Sequence, residues 1–237
     1  MTPTYRHALI LGAGAGLSAS LARLFAAKGL SVTLAARDPD KLAALAEETG
    51  AAAHACDAGD AGSVAALFAA LDDGPAGAPD VLVYNPSARV RGPLTSLDPE
   101  AVTKAVTITG LGAFYAAREA ALRMEPAGHG ALLFTGASAG VKGFANSSVF
   151  AMGKFAMRGL AQALARELHP KGLHVGHFVI DGAIRGPDGR HHRAGAEPVE
   201  DAFLSPDAIA ESYWHFLCQD RSSWAWEIEL RPWVERF

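Results

Sequence analysis

The sequence predicts one α/β domain, residues 1–237, whose centre is a doubly wound, seven-stranded parallel sheet with helices on both faces. Two observations predict this fold class: short, almost continuously apolar runs recur along the chain, and longer Ala- and Leu-rich segments of helical period separate them. Strands that are buried on both faces are almost continuously apolar, whereas strands with one solvent-exposed face alternate apolar and polar residues. The 237 residues, half of them apolar, fit one large domain, and no change of composition divides it.

The alternation of the two kinds of segment gives the order of the elements. The predicted strands are Ala8–Leu11, Ser31–Ala36, Ala52–Ala55, Asp80–Tyr84, Ala131–Thr135, His174–Ile180 and Ala225–Leu230. The predicted helices are Leu17–Lys28, Pro39–Glu48, Ala61–Leu71, Pro99–Met124, Ser147–Leu168 and Pro206–Cys218. Ligands of such a sheet bind beyond the carboxyl ends of the strands, so the segments that follow the strands are candidates for a functional site.

Composition and charge narrow the choice of partners. The formal net charge of −4 is modest and gives no reason to expect nucleic acid or an anionic membrane. No apolar run approaches the roughly 20 residues of a membrane-spanning helix, and the N-terminal residues lack the pattern of a signal peptide. Cys56 and Cys218 have no metal-ligand spacing, so no metal site is expected. We therefore expect a cytoplasmic protein that acts on a small molecule.

The first predicted strand ends in a glycine-rich loop that runs directly into a helix. The residues of this junction are Gly12, Ala13, Gly14, Ala15, Gly16 and Leu17. Glycine permits the tight turn and lets backbone N–H groups approach a pyrophosphate, whose charge the helix N-terminus favours. Between a strand and a helix this pattern predicts a dinucleotide site, and the alternative is an ordinary helix-start turn.

The end of the second strand bears on which dinucleotide is bound. An NAD-preferring site usually has an acid there to accept hydrogen bonds from the ribose 2′-hydroxyl, but this position reads Ala36 and is followed by Arg37. A guanidinium can clasp a 2′-phosphate through paired charge-assisted bonds. The sequence thus favours NADP(H), with NAD(H) as the alternative if Arg37 is only a solvated residue and Asp38 binds the ribose.

With these features the sequence resembles the short-chain dehydrogenase/reductase family over nearly its whole length. Gly12, Gly16 and Ser18 resemble the Gly-x-x-x-Gly-x-Gly of that family, with Ser18 in the last place, where a small residue packs helix against strand. Lys154 resembles the lysine of the family's Tyr-x-x-x-Lys and, by that likeness, holds the nicotinamide ribose. The resemblance implies further cofactor contacts after the third, fourth and sixth strands, from Asp57, Ala58, Asn85, Pro86, Ser87, Gly182, Ala183 and Ile184.

At the reaction end the sequence departs from the family's pattern. The family moves a hydride to or from a carbonyl carbon, with a tyrosine that gives or takes the proton, a serine that polarises the oxygen and an asparagine that holds a water. Here the tyrosine position reads Phe150 and the asparagine position reads Thr107. The serine position reads Ala137, with Ser138 one place further along. A positioned acid or base contributes about 10² to 10⁴ in rate, so the family's mechanism needs a substitute donor or a substrate that accepts hydride directly.

Several side chains are candidates for the missing proton donor: Ser138, Ser147, Ser148, Asp181 and Lys154. Each also has a purely structural interpretation. Lys154 could only hold the ribose, Phe150 could only pack, Ser138 could cap a turn, and Asp181 could bind nearby N–H groups. The sequence alone leaves both interpretations open.

A segment at about 185–205 occupies the place of the family's substrate loop. Its residues 186–201 lack apolar periodicity, and the cationic and histidine side chains here are Arg185, Arg190, His191, His192 and Arg193. They fit either a lid over an acidic substrate or a solvated loop. The aromatic tail from Trp224 to Trp233 either meets another subunit or packs against its own chain. The resemblance implies a homodimer or homotetramer formed through the long helices Pro99–Met124 and Ser147–Leu168.

These observations predict an NADP(H)-dependent oxidoreductase of the short-chain type with an atypical active site. Its substrate would be a small carbonyl, imine or activated alkene. The alternative is an NADP(H)-binding protein without turnover, which acts as a sensor or partner subunit. A lyase or isomerase that uses the nucleotide structurally is a third hypothesis.

Overall fold

The computed structural model describes residues 4–186 and 201–234 and contains a seven-stranded sheet in which all neighbouring strands are parallel. The strands are β1 (His7–Leu11), β2 (Ser31–Ala36), β3 (Ala52–Ala55), β4 (Val81–Tyr84), β5 (Gly130–Thr135), β6 (Leu173–Ile180) and β7 (Glu227–Leu230). Their order in the sheet is β3-β2-β1-β4-β5-β6-β7. The order reverses between β1 and β4, so a crevice opens beyond the carboxyl ends of these two strands. The predicted fold class is confirmed.

Helices connect the strands at the predicted places. They are α1 (Leu17–Ala27), α2 (Ala43–Thr49), α3 (Ala61–Asp72), α4 (Pro99–Val106), α5 (Gly112–Met124), α6 (Ser148–Leu168) and α7 (Pro206–Leu217). Polar side chains begin three of them, because Asp60, Asp98 and Ser205 each accept hydrogen bonds from the first backbone N–H groups of α3, α4 and α7. The second predicted helix is in part a 3₁₀ turn, Pro39–Leu42, that precedes α2.

Both faces of the sheet are buried, which explains the continuous apolar character of the strands. Along β1, Ala8 and Ile10 belong to the core on the side of α1 and α7, whereas Leu9 and Leu11 belong to the core on the side of α3, α5 and α6. All four side chains are inaccessible to solvent. Successive side chains of a strand point to opposite faces, so a strand packed on both sides is apolar at most of its positions.

The long helix that the sequence predicts over Pro99–Met124 is present, and it contains a π turn that the sequence did not predict. This turn, Thr107–Leu111, lies between α4 and α5. The Tyr84 hydroxyl donates a hydrogen bond to the Ile108 carbonyl within this turn. At the start of α5, a Cβ on Gly112 would collide with the Ala58 carbonyl and the Tyr84 hydroxyl. The helix therefore approaches the end of β4 more closely than any side chain would allow.

The flanks of the predicted substrate loop are paired at the end of β6. The Arg185 N–H donates to the Leu204 carbonyl at 2.9 Å, and the Leu204 N–H donates to the Ala183 carbonyl at 2.9 Å. Residues 187–200, which include Arg190, His191, His192 and Arg193, lie outside the described residues.

Some aromatic side chains of the tail from Trp224 to Trp233 pack against the rest of the chain, and one is exposed to solvent. The Trp224 ring stacks on His174 at 4.3 Å between centroids, and the Trp226 ring lies 5.7 Å from the Arg158 guanidinium. Trp233 keeps 79% of its surface exposed. Across the described parts of the chain, no helix has the length and apolar character needed to cross a membrane.

Candidate active site

A cavity of about 790 Å³ opens at the carboxyl ends of β1, β2, β3 and β4. Of the residues predicted to bind a cofactor, those that line it are Gly12, Gly14, Ala15, Arg37, Asp57, Ala58, Asn85, Pro86 and Ser87. Ligand cavities in proteins are commonly about 300–1,000 Å³, so this one has the size for a large part of a dinucleotide. The structure thus brings most of the predicted cofactor residues to one place.

The glycine-rich loop has the geometry that its sequence predicts. Gly12 adopts φ +80°, and a Cβ there would lie 2.7 Å from the backbone nitrogen of Pro86, so only glycine fits. Gly14 and Gly16 instead border open space. Among the described residues no side chain caps α1 at Gly16, and Leu17, its first residue, is buried. The first N–H groups of α1 are therefore available to a phosphate.

Ser18 has a role that small size alone did not predict. Its hydroxyl donates to the Gly12 carbonyl at 3.2 Å and accepts from the Asn85 side-chain amide at 2.8 Å. The Asn85 backbone N–H also donates to the Leu11 carbonyl at 3.0 Å. The serine in the last glycine position therefore ties the loop after β1 to the loop after β4, and Asn85 acts here as a support for the glycine loop.

The end of β2 presents a free guanidinium. Arg37 is exposed and forms no ion pair with any residue that the structure describes. The Asp38 carboxylate is instead bound by Lys41 at 2.9 Å, which holds the pKa of that carboxyl below its usual value. Lys41 also lines the cavity, a contribution that the sequence analysis missed. The local charge therefore suits an anion better than a ribose hydroxyl.

Lys154 lies at the reaction end, beyond the carboxyl end of β5. Its ammonium group donates to the Thr135 carbonyl at 2.6 Å, and only 3% of the residue is exposed. Burial, reinforced by the positive charge of Arg89, lowers the pKa of Lys154 to about 7. A lysine in this state exchanges a proton near neutral pH, which an exposed lysine does not.

Phe150 lies one helical turn before Lys154 on α6. Its ring centroid is 5.8 Å from the Lys154 ammonium nitrogen. The guanidinium carbon of Arg89, from the loop after β4, lies on the same ring, 4.1 Å from its centroid. The sequence analysis missed Arg89, because an arginine in a loop looks like a solvated residue until the loop is folded against a partner.

Thr109, and not Thr107, lies between α6 and the loop after β4. Its hydroxyl accepts from the Ala88 N–H at 3.1 Å, and a Cβ added at Gly153 would lie 2.7 Å from the Thr109 Cβ. The Thr107 methyl group instead lies beside Gly59, 3.9 Å from where its Cβ would be. The two residues therefore face different neighbours. Thr109 thus packs beside the residue that precedes Lys154, and the role predicted for Thr107 stays a prediction.

The other proposed proton donors have different surroundings. Asp181 is bound by Lys142 at 3.2 Å and by Arg231 at 3.1 Å, which supports its structural interpretation. Ser138 opens a 3₁₀ turn, Ser138–Gly140, directly after β5. Ser147 and Ser148 stand at the start of α6.

Gly182, Ala183 and Ile184 follow β6, on the far side of β4 and β5 from the glycine loop. Three strand spacings amount to about 14 Å, so a dinucleotide that reaches both places must extend across the sheet edge. Within the described residues, no three His, Cys, Asp or Glu side chains gather in a way that could hold a metal ion.

A doubly wound parallel sheet with a glycine-rich loop between β1 and α1 defines a Rossmann-type nucleotide-binding protein. The sequence model of the short chain dehydrogenase family matches residues 6–185. The chain therefore belongs to this family, whose members are NAD(P)-dependent oxidoreductases.

Comparisons with individual proteins agree with this membership. The chain is 31% identical over 232 residues to a cis-4-hydroxycyclohexanecarboxylate dehydrogenase from Sinomonas cyclohexanicum. The aligned region covers 92% of this chain and 91% of that protein. It is 30% identical over 174 residues to a cyclic-di-GMP-binding biofilm dispersal mediator protein from Escherichia coli, covering 73% of this chain and 70% of that protein. A crystal structure of a short-chain dehydrogenase from Rhodopseudomonas palustris superimposes with a TM-score of 0.82 at 31% identity, over 98% of this chain and 100% of that one.

Proposed function

We propose that the protein is an NADP(H)-dependent oxidoreductase that transfers a hydride to or from a small carbonyl, imine or activated alkene, with Lys154 as the proton donor. The observation that carries this proposal is the buried Lys154 ammonium, held at 2.6 Å by the Thr135 carbonyl at the reaction end of the sheet. At this position the group combines a fixed geometry with a pKa of about 7. A catalytic acid works best when its pKa is near the operating pH.

The residues at the other end of the site suit the proposed cofactor. The uncapped start of α1 offers N–H groups to the pyrophosphate, and the open space at Gly14 and Gly16 lets it approach the backbone. Arg37 lacks a carboxylate partner among the described residues and is available to a 2′-phosphate. We therefore assign NADP(H) as the preferred cofactor and NAD(H) as the weaker alternative.

In the proposed reduction the bound cofactor supplies a hydride to the substrate carbon. Lys154 gives its proton to the oxygen or nitrogen that becomes negative, is left as a neutral amine, and regains a proton from solvent. Phe150, at the position that we assign to the family's tyrosine, has no proton to give. It instead covers the lysine with an apolar surface, and burial of this kind favours the neutral amine.

We also propose that the protein is a homodimer or homotetramer that uses α5 and α6. A second cavity of about 620 Å³ lies between these helices, and its lining includes Phe114, Leu122 and Leu164. Phe114 and Leu122 are 47% and 55% exposed. Large apolar side chains on adjoining helices are typical of subunit contacts.

A second candidate function is cofactor binding without turnover. The observation that favours it is the Arg89–Phe150 stack, which places a cation that cannot release its proton beside the position assigned to the catalytic tyrosine. Both the oxidoreductase and the protein without turnover would bind NADPH, but only the oxidoreductase would consume it.

The test of the proposed function is NADPH consumption by the purified protein with a panel of ketones, aldehydes, imines and enones. We expect turnover with at least one class. Lys154→Met should then lower kcat by about 10²-fold or more. The matched control is Lys171→Met, which removes an exposed lysine paired with Glu125 at 2.8 Å and should leave kcat unchanged. Tight NADPH binding without consumption in any class would favour the second candidate.

A further inference from the structure

Two cations converge on one aromatic ring at the reaction end. The Arg89 guanidinium carbon is 4.1 Å from the Phe150 centroid, and the Lys154 ammonium nitrogen is 5.8 Å from the same centroid. The two cations are close enough for each to be affected by the other's charge, since Arg89 contributes to the low pKa of Lys154. Partial burial lowers the pKa of Arg89, and the positive charge of Arg91, two residues along the loop, lowers it further.

No carboxylate among residues 4–186 and 201–234 pairs with any of these three cations. Asp181, the acid at the end of β6, is already bound by Lys142 and Arg231. Lys154 is buried, whereas Arg89 and Arg91 are exposed to solvent. Positive charges that lie close together attract a negative group, and the described chain does not provide one here.

The geometry of the stack leaves the guanidinium free to bind that group. An arginine guanidinium has five N–H donors, and its contact with the face of an aromatic ring leaves them available for hydrogen bonds to an acceptor. None of the described residues accepts a hydrogen bond from Arg89. A planar carboxylate matches a guanidinium with two parallel hydrogen bonds, which a single neutral oxygen cannot do.

The floor of the same site is apolar. Phe150, Ala137 and Ala139 form a small cluster of buried side chains at the start of α6 and the end of β5. A ligand bound here would pack its apolar part against this cluster and would have the positive charge of Arg89 at one edge. This combination suits an organic acid better than an inorganic anion.

We propose that Arg89, held on the face of Phe150, is a substrate-binding residue that selects substrates carrying a carboxylate. The proposal deepens the proposed function and rests on its assignment of the reaction end, but the binding itself requires no turnover. Phe150 then contributes to substrate binding, because its unsubstituted ring holds the Arg89 guanidinium in place. The carboxylate lies at Arg89, and the reacting carbon of the same molecule lies towards Lys154.

Calorimetric titration of the NADP⁺-saturated protein with benzoate and benzamide tests this proposal. The two probes have the same shape and differ in charge. We expect benzoate to bind at least tenfold more tightly than benzamide to the unmodified protein. Arg89→Gln should weaken benzoate by about 10- to 100-fold, the value of a charge-assisted pair, and leave benzamide unchanged. Arg89→Lys should recover only part of the loss, because an ammonium lacks the paired donors.

The matched control is Arg166→Gln, which removes an exposed arginine from the far end of α6 and should leave both affinities unchanged. Unchanged Tm and NADP⁺ affinity of the Arg89 variants establish that they are folded. Equal binding of the two probes to the unmodified protein, or unaltered benzoate affinity in folded Arg89→Gln, would overturn the proposal. Binding is measured without turnover, so an inactive protein that prefers benzoate refutes the proposed function and leaves this inference standing.

Discussion

The guanidinium carbon of Arg89 lies 4.1 Å from the centroid of the Phe150 ring, so a cation from the loop after β4 covers an aromatic side chain of α6. Lys154, one turn further along α6, is buried against the same ring. This arrangement lowers the pKa of Lys154 to about 7. This pKa is the reason that we propose Lys154 as the proton donor in a site where Phe150 has no proton to give.

The rate of reduction should fall as the pH rises through about 7. Lys154 must carry its proton in order to donate it, and it loses that proton above its pKa of about 7. The measurement is kcat for NADPH oxidation between pH 5.5 and 9 at saturating cofactor. Phe150→Tyr supplies a second proton donor, a phenol whose ordinary pKa of about 10 lies above that of Lys154, and should extend the active pH range upward. A profile that stays flat to pH 9 in the unmodified protein would show that Lys154 is not the donor.

The stability of the fold should rise with pH above neutrality because of the same group. The folded pKa of about 7 lies below the ordinary 10.5, so between these values the unfolded chain binds a proton that the folded chain does not. The free energy of unfolding then increases with pH, by up to about 1.4 kcal/mol per pH unit. Urea denaturation at pH 7 and pH 9 measures this increase. Lys154→Met should remove most of it, and an equal increase in that variant would assign it to other groups.

Cofactor choice should depend on Arg37. Arg37→Ala removes a guanidinium without a partner among the described residues, and we expect the NADPH affinity to fall about 10- to 100-fold while the NADH affinity is unchanged. Fluorescence titration of both cofactors measures the difference. Arg23→Ala is the control, because Arg23 is an exposed arginine on α1 that pairs with Glu48. Equal losses for NADPH and NADH in Arg37→Ala would contradict the assignment.

The close approach of α5 to β4 should make Gly112 irreplaceable. Gly112→Ala places a methyl group against the Ala58 carbonyl and the Tyr84 hydroxyl, and we expect a loss of about 1–3 kcal/mol or more in the free energy of unfolding. Gly159→Ala on α6 meets no neighbouring atom and should stabilise the protein by up to about 1 kcal/mol. Urea denaturation of both variants gives the comparison. Similar effects in the two variants would contradict the packing described here.

The fold could be predicted because its signal is repeated along the whole chain. The central strands are largely apolar, as Ala8–Leu11 illustrates, since both of their faces are packed. The cofactor end could be predicted for a related reason: a glycine at φ +80° against Pro86 admits no other residue, so the conformation is visible in the sequence.

The reaction end could be predicted only in part, because its contacts join distant segments. The π turn at Thr107–Leu111 changes which side of the helix each residue faces, and it places Thr109 against the loop after β4. Apolar periodicity does not reveal such a turn. Arg89 meets Phe150 across 61 positions of sequence, and neither residue type alone indicates the stack.

Hydride transfer without the family's tyrosine is the central claim, and isotope transfer tests it most directly. The unmodified protein is incubated with NADPH deuterated at C4 and with carbonyl substrates, among them oxo acids matched to their neutral esters. Mass spectrometry then locates the deuterium in the product. We predict one deuterium on the former carbonyl carbon of the product, and we expect the oxo acids to be labelled faster than their neutral esters. Lys154→Met should give no labelled product. Intact NADPH and unlabelled substrate across the whole panel, with the cofactor demonstrably bound, would contradict the account.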